Sequence, residues 1–186
     1  ARESGSFAEE IVPIETSAGT VDQDGCIRPG TDSETLAKLR PVFDANGTVT
    51  AGTSSPLTDG AAFVFVCSEK FATENGLEPI ARIKSAAVSG CAPEIMGIGP
   101  VEATRKALER ANLSLEDIDI VELNEAFAAQ SLAVIGKLDL DPDKVNLDGG
   151  AIALGHPLGA SGARITGMAA LLLKKYGGKH ALATLC

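Results

Sequence analysis

The chain has no tryptophan, one tyrosine, two histidines and four cysteines among its 186 residues. The histidines, His156 and His180, and the cysteines, Cys26, Cys67, Cys91 and Cys186, lie far apart and form no CxxC pair. The ligand spacing of a structural zinc site is therefore missing, and no metal is expected. Runs of basic residues are also absent, and 16 Lys and Arg against 25 Asp and Glu give a net charge of -9. A face that would attract nucleic acid or an anionic membrane needs the opposite balance, so neither is an expected partner. No apolar run reaches the length of a membrane span, since residues 61–67 and 168–173 are short and broken by polar or small residues. With no visible signal peptide and no disulfide-like cysteine pattern, the expected setting is the cytoplasm, or an organellar matrix in a eukaryote.

What the chain does have is enough apolar content, 45%, for a real core. Residues 1–57 are rich in Gly, Thr, Ser, Asp and Pro, with a short helical candidate at 33–39, and should be irregular. From Gly60 the pattern changes. AAFVFVC (61–67) has strand length and SEKFATENG (68–76) reads as an amphipathic helix closed by glycine. IARIKSAAV (80–88) is a second strand candidate, and Pro100 opens a helix through VEATRKALERAN. Ser114 with Asp117 resembles a capping motif before the strand IDIVEL. A helix EAFAAQSLAVIG, a short strand VNL, a long helix from about 160 to 176 stopped by Gly177, and a final strand HALATLC complete the order. Strands alternating with helices indicate an α/β fold with helices packed on a sheet. An apolar strand at one end and an unpatterned stretch at the other lead to the expectation that the chain is a fragment.

Three segments hold polar groups that packing alone would not select. NLDGGAIALGHPLGASGARI (146–165) concentrates glycines around His156 ahead of a helix. Such a turn lets backbone approach a ligand, and a histidine held there is a candidate general base. The alternative is a hydrogen-bonded turn residue in a tight connection. In LNEAFAAQ (123–130), Asn124 and Glu125 stand where a strand passes into a helix. Asn124 is a candidate oxyanion or water holder, or else the helix N-cap. Cys186 ends its own strand, and is a candidate thiol acid or nucleophile, or else a small buried hydrophobe. An Asn, a His and a Cys at strand ends can meet on one edge of one sheet.

VTAGTSSPLTDGAA, SGCAPEIMGIGP, LNEAFAAQ, NLDGGAIALGHPLGASGARI and ATLC, in that order, resemble the signature blocks of the thiolase family over nearly the whole chain. The resemblance implies a thiolase-like α/β fold, a C-terminal βαβ-type half with a mixed sheet and helices on both faces. Residues 1–57 would be the rear part of the CoA-binding loop domain. Residues 58–78 would be the last strand and helix of the N-terminal domain, and 79–186 the C-terminal domain without its final glycine-rich turn.

By the same resemblance, His156 takes the proton from a nucleophilic cysteine, Asn124 holds a water at the oxyanion hole, and Cys186 is the acid/base at the α-carbon of acetyl-CoA. Ser55, Arg28 and Phe127 match positions along bound CoA, although Arg28 reads equally as a solvated charge and Phe127 as core. The implied reaction is thiolysis of a 3-oxoacyl-CoA, or the reverse condensation, with coenzyme A and acyl-CoA as substrates and no fixed cofactor. The parent is expected to be a homodimer or homotetramer. The block carrying the nucleophile is missing, and none of Cys26, Cys67 or Cys91 sits in a similar block, so this chain alone is expected to be inactive. The competing reading is a non-catalytic CoA-binding or interaction module.

Overall fold

A computed structural model describes residues 1–186, and its regular elements crowd into the second half of the chain. Before residue 57 there are a small antiparallel hairpin, β1 (Ile14–Thr16) with β2 (Gly19–Val21), one short helix, α1 (Ser33–Ala37), and a 3-10 turn at Ala51–Thr53. α1 starts where it does because Asp32 accepts the Thr35 N–H at 2.7 Å while Thr35 Oγ1 accepts the Asp32 N–H at 3.1 Å. Ser68 caps α2 (Glu69–Glu74) through the Phe71 N–H.

Two expected strands do not form. Residues 61–67 and 80–88 belong to no strand, and their apolar side chains stand in the open: Phe63 is 87% exposed and Val88 86%. An apolar run demands burial, but a strand also needs a neighbouring backbone to complete its ladder, and neither segment has one here. Residues 80–88 instead run beside α3 (Gly99–Ala111), where Ser85 Oγ donates to the Ala107 carbonyl at 2.7 Å. The expected strand at VNL shrinks to one parallel bridge, Val145 to Val121.

Asn112 ends α3 in the left-handed conformation, and the Ser114–Asp117 capping box forms as anticipated over a 3-10 turn. The remaining elements are β3 (Ile120–Leu123), α4 (Ala128–Leu138), α5 (Ala151–Leu154), α6 (Leu158–Tyr176) and β4 (Ala181–Thr184). β3 and β4 pair in parallel, Ile120 opposite Ala181 through Leu123 opposite Thr184. A parallel pair cannot be joined by a tight turn, and α4, α5 and α6 together make the crossover.

All four β3 residues are buried, so the strand is covered on both faces. Val121 and Leu123 pack with Leu182 of β4 against Val101 and Leu108 of α3 and Val134 and Leu138 of α4. Ile120 packs the other way, against Met168 and Leu172 of α6. The two-residue alternation of a strand thus assigns α3 and α4 to one face and α6 to the other.

The accessible surface is 12253 Å² for a 19.0 kDa chain. A compact monomer of that mass exposes about 8,400 Å². Phe63, Phe65 and Val66 contribute to the excess as one contiguous exposed run. The purified chain should therefore bind a hydrophobic dye such as ANS and show species larger than a monomer by light scattering at micromolar concentration. The triple substitution F63S/F65S/V66T should lower both signals by about half or more; a dye-silent monomer would contradict this reading.

Candidate active site

Because β3 and β4 are parallel, both end at the same sheet edge, the edge at which open α/β sheets collect ligands. Asn124 leaves β3 there. Its N–H donates to the Thr184 carbonyl of β4 at 3.0 Å, and the residue is 1% exposed. Strand alternation puts it on the α6 side, in line with Ile120 and Glu122. It is not the cap of α4, which begins at Ala128 with Phe127 at its N-cap, because residues 124–127 are held in other contacts.

His156 lies between α5 and α6. Gly155 has φ +99°, and a Cβ there would come within 2.6 Å of Thr58, so glycine alone permits this path. Asn124 Nδ2 is 3.4 Å from His156 Nε2, and Ser161 Oγ is 2.6 Å from Nδ1. Ser161 is fully buried, and its hydroxyl donates to the Pro157 carbonyl at 3.1 Å. A hydroxyl has one proton to give. Ser161 therefore accepts from the Nδ1–H, which leaves Nε2 with its lone pair toward Asn124. Burial, and after it the charge of Arg164, hold the imidazole below its ordinary 6.5, so that it is neutral near pH 7. Asn124 Oδ1 is buried and has no hydrogen-bond partner within the chain.

Cys186 stands two residues beyond Thr184, at this same edge, and is exposed as a residue. Desolvation of the thiol pushes it above its usual range, against the opposing effect of a backbone hydrogen bond and with a smaller contribution from Cys91. Ser55 and Phe127 are also brought in. The Ser55 N–H donates to the Ala126 carbonyl at 3.1 Å, and Ser54 bridges Phe127, so the 50–55 segment lies beside Asn124. Phe127 packs edge-on against Phe43, with ring centroids 6.3 Å apart. Arg28 is not gathered with them: it sits in an exposed loop and its guanidinium makes no hydrogen bond or ion pair. An open cleft of about 460 Å³ adjoins the histidine, lined by residues 58–62 on one side and 157–160 on the other.

Residues 77–186 match the thiolase C-terminal domain, and residues 1–70 match the thiolase N-terminal domain. This chain belongs to the thiolase family. A 3-ketoacyl-CoA thiolase of Vibrio vulnificus (strain YJ016) is 56% identical over 98% of this chain and 49% of its own length. An acetyl-CoA acetyltransferase of Rhizobium meliloti (strain 1021) is 52% identical over all of this chain and 48% of its own length. The crystal structure of human mitochondrial 3-ketoacyl-CoA thiolase in complex with CoA superposes with a TM-score of 0.92 at 49% identity, covering 100% of this chain and 47% of that one. The chain thus spans about half the length of the thiolases it matches.

Sequence reasoning missed Ser161, Asn146 and Glu122. Ser161 looks like one more small residue of a glycine-rich turn, and only the geometry shows it under the imidazole. Asn146, at φ +50°, uses its side chain as a strand would use its backbone: Oδ1 accepts the Leu123 N–H and Nδ2 donates to the Leu123 carbonyl, both at 2.9 Å. Glu122 is a carboxylate in a strand buried on both faces, and its alternation with Ile120 was the available signal.

The histidine tautomer is measurable. With only two histidines, ¹⁵N NMR should find His156 as the Nδ1–H form, and Ser161→Ala should turn it into a mixture while leaving His180 unchanged. Glu122 gives a second test. It is 3% exposed, and desolvation pushes its carboxyl up to about 7 from 4.5, with Arg164 opposing and Asp148, Glu125 and Glu10 adding to the rise. The folded chain keeps this proton where the unfolded chain has lost it, so its contribution is full below pH about 4.5 and is lost as pH rises toward 7, by up to about 3 kcal/mol. Glu122→Gln should flatten the fall in urea-unfolding stability between pH 5 and 8; an unchanged slope would assign that dependence elsewhere.

Proposed function

We propose that this chain carries the base, the oxyanion-side asparagine and the acid thiol of a thiolase that cleaves 3-oxoacyl-CoA with coenzyme A, or runs the reverse condensation. The observation that carries the reading is His156, its Nδ1 held by Ser161 at 2.6 Å and its free Nε2 3.4 Å from Asn124 at the strand edge where Cys186 emerges. In this mechanism Nε2 takes the proton of a nucleophilic cysteine supplied by the part of the family's length that this chain does not span. The thiolate adds to the 3-oxo carbon, and the bond between C2 and C3 then breaks. Cys186, whose thiol is held protonated, gives its proton to the carbanion at C2, and acetyl-CoA leaves. Coenzyme A gives its thiol proton to the Cys186 thiolate and attacks the remaining acyl-cysteine; the new thioester leaves, and the released cysteine thiolate takes its proton back from His156.

Coenzyme A and the acyl-CoA are substrates, and no fixed cofactor is invoked. Ser55 and Phe127, adjacent to Asn124, are the contacts proposed along the pantetheine. Arg28 is proposed only as an outer contact to the nucleotide end. The division into 1–57, 58–78 and 79–186, and assembly of the parent as a dimer or tetramer, belong to the same reading.

The test is thiolysis of acetoacetyl-CoA. The 186-residue chain alone should give no turnover, because a missing covalent nucleophile removes the pathway itself. In the protein of full family length, His156→Ala and Cys186→Ala should each lower kcat by about 10²–10⁴-fold, and Asn124→Ala by about 10²–10³-fold. Turnover by the isolated chain, or full activity without His156, would overturn the mechanism. CoA binding by the full-length protein with no thiolysis would favour the non-catalytic module.

A further inference from the structure

Glu125 follows Asn124 directly, and its carboxylate is fully engaged away from the cleft. Oε1 accepts from Asn146 Nδ2 at 3.1 Å, and Oε2 accepts the Ile152 N–H at 3.1 Å. Ile152 lies in α5, which has no side-chain cap of its own at Gly150, so Glu125 supplies from another element the acceptor that a capping residue would supply locally. α5 runs into Gly155 and His156, and His156 returns to Asn124. Asn124, Glu125, α5 and His156 thus close a small ring, in which one peptide link and two hydrogen-bonded contacts fix the remaining geometry.

Gly150 adds an independent observation. Its backbone, at φ -125° and ψ -174°, is extended and open to any residue. A Cβ at this position would nevertheless fall 2.2 to 2.4 Å from the Glu125 carboxylate carbon and oxygens. A methyl group here would therefore have to push the carboxylate out of its two hydrogen bonds, although the backbone itself would accept any residue. We propose that Glu125 is the positioning residue of the Asn124–His156 couple, clamping α5 and the glycine loop to the end of β3, and that Gly150 is kept small to admit its carboxylate. It touches no reacting atom. Its importance for catalysis rests on the thiolase reading above, whereas the clamp itself does not.

Both partners of the carboxylate are N–H donors, so both of its oxygens must accept. Glutamine has the same shape but offers one acceptor and one NH2, and one of its contacts becomes donor against donor. The experiment uses the 186-residue chain and needs no substrate, so loss of the thiolase reading would leave its result standing, and the reverse also holds. In Glu125→Gln, amide exchange at Ile152 should speed up by about tenfold or more, and His156 should lose its single Nδ1–H tautomer in ¹⁵N NMR while His180 stays unchanged. Glu125→Asp, which keeps two acceptors, should restore the tautomer at least in part.

Gly150→Ala should lower the folding equilibrium constant by about tenfold or more in the otherwise unsubstituted 186-residue chain and by less than about threefold in Glu125→Ala, since there the methyl group has space. The clamp is wrong if His156 and Ile152 are unchanged in a folded Glu125→Gln. It is equally wrong if Gly150→Ala costs the same in both backgrounds, a comparison that stands even where Glu125→Gln folds poorly.

Discussion

The arrangement of this molecule depends on one pairing, β3 beside β4 in parallel. Two parallel strands end at the same edge, and the chain between them must travel out and back across the sheet. α6 makes the return, so the beginning of α6 lies at the edge where β3 and β4 finish. His156, two residues before α6, therefore arrives at that edge without any further device, and Asn124 and Cys186 arrive there as the residues following the strands. The Asn124 N–H to the Thr184 carbonyl carries the ladder one step past the named strands and fixes the asparagine against β4. A slip of one residue in this register would turn Asn124 toward α3 and α4 and put Leu123 or Glu125 in its place.

The same edge carries an unusual load of buried polar groups, among them Asn124, Ser161, Glu122 and Thr184. Such groups stabilise a fold only when they are paired, and an orphan costs about 1–3 kcal/mol. Some pair through residues distant in sequence. Ser161 joins the imidazole to the Pro157 carbonyl, and Asn146 gives β3 the two bonds that a third strand would otherwise supply at Leu123. Asn124 Oδ1 and Glu122 Oε1, both on the α6 side of β3 near its end, have no partner in the chain. Apolar packing would have been cheaper at these positions, so their persistence fits a site selected for chemistry.

Much of this was legible in the sequence, for identifiable reasons. α3, α4, α6, β3 and β4 follow apolar periodicities matched to their own structure, and Pro100, Gly177 and the Ser114 box mark their ends. The runs at 61–67 and 80–88 look equally strand-like, yet a run of apolar residues states only that burial is wanted. Which backbone will pair with it is written elsewhere, and within these residues no such partner is present. At the site, His156 and Asn124 stood out because glycines and a strand end isolate them. Ser161, Asn146 and Glu125 did not reveal their roles, since each acts through a contact with residues distant in sequence or through a backbone angle that local composition does not fix. Arg28 shows the reverse case, a position matched by pattern that the geometry leaves in solvent.

Burial explains why the thiol and the imidazole suit opposite tasks. Removing water disfavours whichever form of a group is charged. For Cys186 that form is the thiolate, so desolvation raises it and the proton stays on sulfur. For His156 it is the imidazolium, so desolvation lowers it and Nε2 stays free. One physical cause thus widens, in opposite directions, the ordinary gap between a thiol at 9.0 and an imidazole at 6.5, at the same sheet edge. Arg164 strengthens the imidazole half of this division, because a fixed positive charge opposes a second one nearby. In the proposed reaction neither group could be tuned toward its role by a charge alone without pulling the other, since a cation that favours the neutral imidazole also favours the thiolate. Desolvation is the effect that moves both in the useful direction, and a partly enclosed edge supplies it to both.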